Sequence, residues 1–439
     1  MQWYNGIRIV CLALSLQATN LLASHPALAA KAQLAVHPFM GWSSWSFLRG
    51  HPTQAGIKAQ ARILATRLKK YGYQYVNIDS GWTNGFDRFG RPRVNRHRFP
   101  GGMAALAAWL HRRGLKLGLY LVPGMPVAVY QANCRIMGTQ WTARMIADKT
   151  RSGNTLNKDF YKLNFRSSGA MAYIQSQADL LAGWGVDYLK LDFVGPGGGY
   201  PGFRQTDNRP DVRAWAKALK HAGRPIWLEL SNSLSLHQAT FWKRWSNGWR
   251  ITGDIEAYHT QFLTSWKHVL ARFAAAPEWI KYAGPGGWND LDSLEIGNGS
   301  RDGITRKQRQ TVMTFWCINC APLCLGTDLT RLNDGDLKIL TNRTLIAIDQ
   351  AGVPGKLIRR TASQQIWAVR RPNGRMDVAL FNLGAKPVRM HVRLAATGLS
   401  DFAKVRDIWR SRSLGRADGR LVLSVAPGGT RLVELNPVH

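Results

Sequence analysis

From about residue 38 to residue 350 the chain alternates short apolar runs, rich in β-branched and aromatic residues, with longer stretches of helical periodicity. The short runs end at "HPFMGW", "YQYVNID", "LKLGLYL", "DYLKLDF", "RPIWLEL", "GWRITGD", the region before "GGWNDLD", and "CAPLCLG". Between them, "AGIKAQARILATRLKKYG" and "GAMAYIQSQADLLAGWG" carry apolar residues at helical spacing and stop at glycines, as outer helices do. Eight such strand-then-helix units predict an α/β fold of the (β/α)8 TIM-barrel type, with working residues at the C-terminal ends of the strands. A doubly wound open sheet is the competing arrangement for the same pattern.

After about residue 352 the helical stretches stop. "QQIWAVRRP", "GRMDVALFNL", "PVRMHVRLAA" and "GRLVLSVAPGGTRLVEL" are short β-type segments joined by Gly, Pro and Asn turns, a pattern that predicts an antiparallel β-sandwich domain. The expected division is a barrel over 31–351 and a sandwich over 352–439. Residues 1–30 read differently again. Arg8 precedes an apolar run from Ile9 to Leu16 and a small-residue stretch to Ala30, the pattern of a secretory signal cleaved near Ala29 or Ala30, which implies a secreted or periplasmic protein. No later stretch reaches the roughly 18–20 apolar residues of a transmembrane span.

Polar residues interrupt the ends of the apolar runs. In "DYLKLDF" at 187–193, Lys190 and Asp192 lie two apart on a strand and so point to the same face. Burying both is costly unless they are paired or solvated. Trp42, Asp79, Tyr120, Arg250 with Asp254, and Asp290 with Asp292 hold corresponding places. A lone Asp after a strand is usually a turn or cap residue, but on a barrel all these ends converge on one mouth. Two carboxylates facing one pocket can divide the work of acetal hydrolysis between them. Asp192, beside the Lys190 ammonium, suits a nucleophile, and Asp254 is the candidate that cycles protons. The structural alternative is two buried salt bridges in a catalytically silent barrel.

Composition changes this picture little. The 59 Lys and Arg against 26 Asp and Glu give a formal charge of +33, which suits loose association with anionic surfaces. The basic residues are dispersed and form no recognisable nucleic-acid module, so no specific nucleic acid is expected. "GPGGGYPG" at 195–202 lacks the spacing of a dinucleotide or phosphate loop. There is no HExxH helix and no Ser-His-acid order, and the eleven histidines are scattered, so neither cofactor nor metal is expected. Cys11 would leave with the leader. Cys134, Cys317, Cys320 and Cys324 permit disulfides whose pairing the spacing does not choose. The 317/320/324 cluster has metal-like spacing but reads as a packed helix-to-strand segment among Trp316, Ile318, Leu323 and Leu325.

With these residues in view, the chain resembles glycoside hydrolase family 27, the α-galactosidases and α-N-acetylgalactosaminidases. "GWSSW" at 41–45 is similar to that family's opening Gly-Trp-Asn-Ser-Trp. "YGYQYVNIDSGW" at 71–82, "RGLKLGLY" at 113–120, "WGVDYLKLDF" at 184–193, "GWRITGDI" at 248–255, "GPGGWNDLDSLEIGNG" at 284–299 and "APLCLGTDL" at 321–329 follow in order. The resemblance implies Asp192 as nucleophile and Asp254 as general acid/base, with Lys190 and Arg250 contacting sugar. Asp79, Tyr120 and Trp42 would surround the terminal sugar, and Asp292 would add a further pocket carboxylate. The implied activity is hydrolysis of terminal α-D-galactosyl residues from an oligosaccharide or polysaccharide, retaining configuration through a covalent glycosyl-enzyme intermediate.

Departures from the family pattern loosen the claim to galactose. Asp79-Ser80-Gly81-Trp82 stands where α-galactosidases of the family carry Asp-Asp-Cys-Trp, so Ser80 offers a neutral partner and the loop's usual disulfide cannot form. "IWLELSN" at 226–232 lacks the family's Cys-Glu-Trp, leaving Ser231 at the glutamate or, with a two-residue shift, Glu229. A longer insert at 122–150 follows the third strand. The family also includes β-L-arabinopyranosidases and enzymes that release isomaltose from α-1,6-glucans, and both are alternatives. A non-catalytic carbohydrate-binding protein is the rival of a different class, against which the complete Asp192/Asp254 pair argues.

Overall fold

The computed structural model describes residues 34–152, 159–197, 206–399 and 402–437. The leader expected over 1–30 and most of the glycine-rich 195–202 stretch lie outside them. Eight short strands, buried on both faces as parallel strands are, carry the larger unit: β1 Met40–Ser43, β2 Tyr75–Ile78, β3 Lys116–Leu121, β4 Tyr188–Leu191, β5 Trp227–Leu230, β6 Gly248–Arg250, β7 Trp288–Asp290 and β8 Leu323–Leu325. They hydrogen-bond in the order β7-β6-β5-β4-β3-β2-β1-β8, and each ladder is parallel. Past β7, Leu294 bridges back to Leu325, its N–H reaching the Cys324 carbonyl at 2.7 Å. The sheet therefore curls into a barrel and the open-sheet alternative does not form.

Local chemistry starts the outer helices where the periodicity expects them. Helix α1, Gln54–Ile63, begins at Thr53, whose hydroxyl accepts the Gly56 N–H. Helices α2 Gly102–His111, α3 Ser168–Gly183, α4 Arg209–His221, α5 Ala239–Trp245 and α6 Trp266–Trp279 follow the next strands, and α7, Arg306–Ile318, opens with a reciprocal Thr305/Gln308 capping box. The lower end of the barrel is plugged by aromatics at the strand starts. Phe39 meets Tyr75, Tyr188 and Trp227 edge to face at 5.1–5.4 Å between centroids, which leaves the upper end as the open one.

The C-terminal unit has eight strands, β9 Lys356–Arg360, β10 Gln364–Arg370, β11 Met376–Asn382, β12 Val388–Arg393, β13 Phe402–Asp407, β14 Arg412–Asp418, β15 Arg420–Val425 and β16 Thr430–Pro437. They pair antiparallel in the order β9-β10-β11-β16-β13-β14-β15-β12 around a core of their own that includes Val378, Leu380, Val405 and Val433. The outer face of this sandwich docks on the barrel. Phe381 and Trp367 meet Phe273 of α6 and Phe315 of α7, and Trp409 donates to the Thr314 hydroxyl at 3.0 Å.

Two expectations change here. Cys134, Cys317, Cys320 and Cys324 form no disulfide; all four are free thiols buried as small apolar side chains. Cys317 lies on α7, Cys320 just beyond it and Cys324 on β8; Cys317 packs into the main barrel core, while Cys320 and Cys324 pack with the aromatics at the strand starts. The 122–150 insert, whose aromatic and amide residues the sequence suggests could reshape the far side of the pocket, lies elsewhere. Its Met125–Pro126 and Ala147–Ser152 strands pair with Phe160–Leu163, and Val129 packs on Gly90, so it covers the flank of α3.

Candidate active site

At the C-terminal ends of β2, β3 and β4, the parity of each strand turns Asp79, Tyr120 and Lys190 into the barrel mouth. Lys190 Nζ donates to Asp79 Oδ2 at 2.8 Å and lies 5.5 Å from the centre of the Tyr120 ring. Burial works against the ammonium, but Asp79 and Asp192 outweigh it and the Lys190 pKa is raised. Asp192, one residue past β4, accepts its neighbour Phe193's N–H at 2.8 Å and the Tyr120 hydroxyl. Burial and these carboxylates push the Tyr120 phenol well up, so it remains a donor.

On the opposite side, β6 ends in Arg250, whose side chain is 5% exposed. One of its terminal nitrogens meets Asp254 Oδ1 at 2.6 Å and the other meets Asp292 Oδ1 at 2.6 Å. Asp292 takes the left-handed conformation, φ 77°, which turns its carboxylate back to accept the Ile255 N–H at 2.8 Å while Arg272 approaches at 3.4 Å. Asp254 accepts a second hydrogen bond from the Tyr258 hydroxyl. Further carboxyls crowd the same interior. Burial, reinforced by Asp292, pushes Asp290 up to about 6; burial with Asp292 and Asp254 pushes Glu256 up to about 7. The pocket between these walls is lined by Trp45, Asp79, Tyr120, Lys190, Arg250, Glu256 and Asp292 among others. Asp254, Glu256 and Asp292 bring carboxylate oxygens within 4.8 Å of one another, a spacing that suits a hard cation, but the Arg250 guanidinium already bridges two of the three.

The family described as α-galactosidase A matches residues 56–148 and 143–351, and the α-galactosidase C-terminal β-sandwich domain matches 361–435. The α-galactosidase of Oryza sativa subsp. japonica is 31% identical over 91% of this chain and 85% of its own length. The chain belongs to glycoside hydrolase family 27. Alpha-galactosidase 2 of Arabidopsis thaliana is 29% identical over 92% of this chain and 90% of its own. Among solved structures, the family 27 β-L-arabinopyranosidase of Geobacillus stearothermophilus superposes with a TM-score of 0.86 at 30% identity, covering 93% of this chain and 98% of that one. The α-galactosidase I of Mortierella vinacea superposes with a TM-score of 0.72 at 25% identity, covering 92% and 98%. This family 27 protein is a glycoside hydrolase.

Within the family 27 barrel, Asp79, Tyr120, Lys190, Asp192, Arg250, Asp254 and Asp292 come together at the mouth. Trp42 does not. It is fully buried, with its indole N–H on the Thr327 carbonyl at 2.8 Å, because β1 turns it into the wall; Trp45, one turn beyond the strand, takes the mouth instead. Ser80 is half-buried in the turn after β2, where its N–H caps Asp79 Oδ1 at 2.8 Å. Glu229 enters the barrel interior from β5, 1% exposed, with Trp227 donating to it at 2.8 Å. A Cβ on Gly248 would meet its carboxylate at 2.1 Å, so that glycine makes the space. Ser231 is buried one residue past β5, and its hydroxyl has no partner among the described residues. Sequence reasoning missed Trp45, Glu256 and Tyr258. The second tryptophan of "GWSSW" and the "IEAY" that follows Asp254 were the available signals.

Proposed function

We propose that the protein is a retaining exo-glycosidase of α-galactosidase type, with Asp192 as nucleophile and Asp254 as general acid/base. The observation that carries this reading is the meeting of the two carboxylates at one mouth on unlike partners: Tyr120 donates to Asp192, Arg250 and Tyr258 hold Asp254, and the charges of both act on Arg250. An Asp192 oxygen attacks the anomeric carbon as the bond to the glycosidic oxygen breaks, and that oxygen takes the proton of Asp254. Asp254, now a carboxylate, removes a proton from water, the water oxygen attacks the same carbon, and Asp192 leaves. Lys190, Asp79 and Asp292 supply donors and acceptors for the ring hydroxyls.

A second reading has its own support. The Geobacillus β-L-arabinopyranosidase superposes at 30% identity, and Ser80 leaves the loop after β2 without the second acid of the α-galactosidase pattern. β-L-Arabinopyranose is α-D-galactopyranose without its exocyclic hydroxymethyl, so one set of ring contacts serves both. Steady-state kinetics on aryl α-galactoside, aryl β-L-arabinopyranoside, aryl α-glucoside and dextran decide. The highest kcat/KM is expected on the α-galactoside with retained configuration by NMR. Preference for the arabinopyranoside would replace the glycone, and saturable sugar binding without hydrolysis of any substrate would replace the enzyme by a binding protein.

A further inference from the structure

Tyr258 stands out at the rim of the pocket. It is 51% exposed and takes the left-handed conformation, φ 51°, unusual for an aromatic residue. Its hydroxyl donates to Asp254 Oδ2 and accepts the Trp45 indole N–H at 3.2 Å. The Arg49 guanidinium lies 4.7 Å from the centre of its ring and 5.6 Å from that of Trp45, within cation–π reach. The loop bearing it is pinned at its base: Glu256 bridges Thr264, Ala257 N–H reaches the Leu263 carbonyl at 2.7 Å, and Thr264 Oγ1 donates to the Ile255 carbonyl at 2.6 Å. The ring is therefore held outside the sugar pocket, directly against the group assigned to protonate the leaving oxygen.

We propose that Tyr258, backed by Arg49 and Trp45, is the leaving-group wall of the site: its ring stacks on the second sugar of the glycosidic bond, and its hydroxyl positions Asp254. The inference rests on the reading of Asp254 as acid/base given above. A leaving oxygen arriving at Asp254 must take the place of the phenol hydrogen bond, which frees the ring to lie along the departing sugar. The phenol remains protonated as it does so, since burial of its hydroxyl end, Asp254 and Glu256 push its pKa up. The charged and titratable groups facing Asp254 are Arg250, Glu256 and Tyr258 on its own segment, Asp292 from the β7 loop, Arg272 and His268 from α6, and Tyr120 from β3. Of these, Tyr258 is the one that reaches Asp254 from the rim.

The test compares wild type, Tyr258→Phe and Tyr258→Ala on two substrates carrying whichever sugar the wild type prefers. One is a glycosyl fluoride, whose leaving group has no ring to stack and needs little protonation; the other is a disaccharide. Tyr258→Ala should raise KM for the disaccharide about tenfold more than it raises KM for the glycosyl fluoride. Tyr258→Phe should keep the disaccharide KM and move the basic limb of kcat/KM upward by about half a pH unit or more, because a donor that favours the ionised carboxylate is gone. An unchanged ratio between the two substrates in Tyr258→Ala, or an unmoved basic limb in Tyr258→Phe, overturns the proposal. A wild type inactive on both substrates overturns the functional reading beneath it.

Discussion

Arg250 at the barrel mouth and Arg371 in the sandwich occupy the same local setting, a buried guanidinium between two carboxylates. Arg250 meets Asp254 and Asp292 at 2.6 Å each. Arg371 meets Asp377 at 2.6 Å and also Glu434, which takes Arg375 as well at 3.2 Å. The surroundings differ. In the sandwich two arginines face two acids, so the charges balance, although burial still pushes Asp377 up to about 6. At the mouth, Lys190, Arg250 and Arg272 face Asp79, Asp192, Glu229, Asp254, Glu256, Asp290 and Asp292, and Glu229 Oε1 and Glu256 Oε2 have no hydrogen-bond partner among the described residues. A buried arginine between acids says little by itself. A surplus of acids around it, opening on a pocket, marks the site where protons can be exchanged near neutral pH.

The strongest way to break this contrast is to remove one acid from the mouth. Asp192→Asn should lower kcat by at least about 10⁴-fold, equivalent to about 5–6 kcal/mol of barrier, with the thermal midpoint nearly unchanged because Asp192 is half-buried beside solvent. Near-normal turnover of the purified variant would return the mouth to the status of the sandwich network. The converse change is Arg371→Met, which strands the buried Asp377 carboxylate and leaves Glu434 to Arg375 alone, and should cost about 3–5 kcal/mol of stability. The kcat of the folded fraction should stay as it is, measured by denaturant titration alongside turnover. A fall in kcat without loss of stability would mean that the two networks are not separable.

The smallest effect sharpens the comparison through pH. Glu256 is held near 7, above its unfolded value, so the folded protein keeps this proton longer than the unfolded chain does. Its contribution to stability is then full below the unfolded pKa and declines as pH rises toward 7, by about 3 kcal/mol in all. Glu256→Gln removes that decline. Relative to wild type, the variant should gain stability between pH 5 and pH 8, read as the difference in thermal midpoint at the two pH values. Equal differences at both would show that Glu256 carries no buried proton.

Periodicity alone located Asp79, Tyr120, Lys190 and Arg250, because strand parity decides the face and the barrel decides which end is open. The composition break near residue 352 likewise announced the sandwich fold, since strand-length runs without helices between them have few other ways to bury their apolar faces. Beyond the last residue of a strand, that logic ends. Asp254 and Asp292 read as strand-end residues in the sequence, but they lie in the loops after β6 and β7, whose course alternation does not set, and Trp42 reads at the mouth because alternation does not say where the chain turns after "GWSS". Left-handed residues at Asp292 and Tyr258 re-aim side chains in ways no spacing reports, and the free thiols were settled by core packing.

What the linear order of residues carries is local: which face, which period, which strand end. Pairing is not local. Ser46 donates to Glu256 at 2.5 Å across 210 positions of chain, and Lys190 reaches Asp79 across 111. Which acids keep their protons follows from how many cations the folded chain sets beside them and how little water it leaves there, quantities that exist only once the barrel has closed.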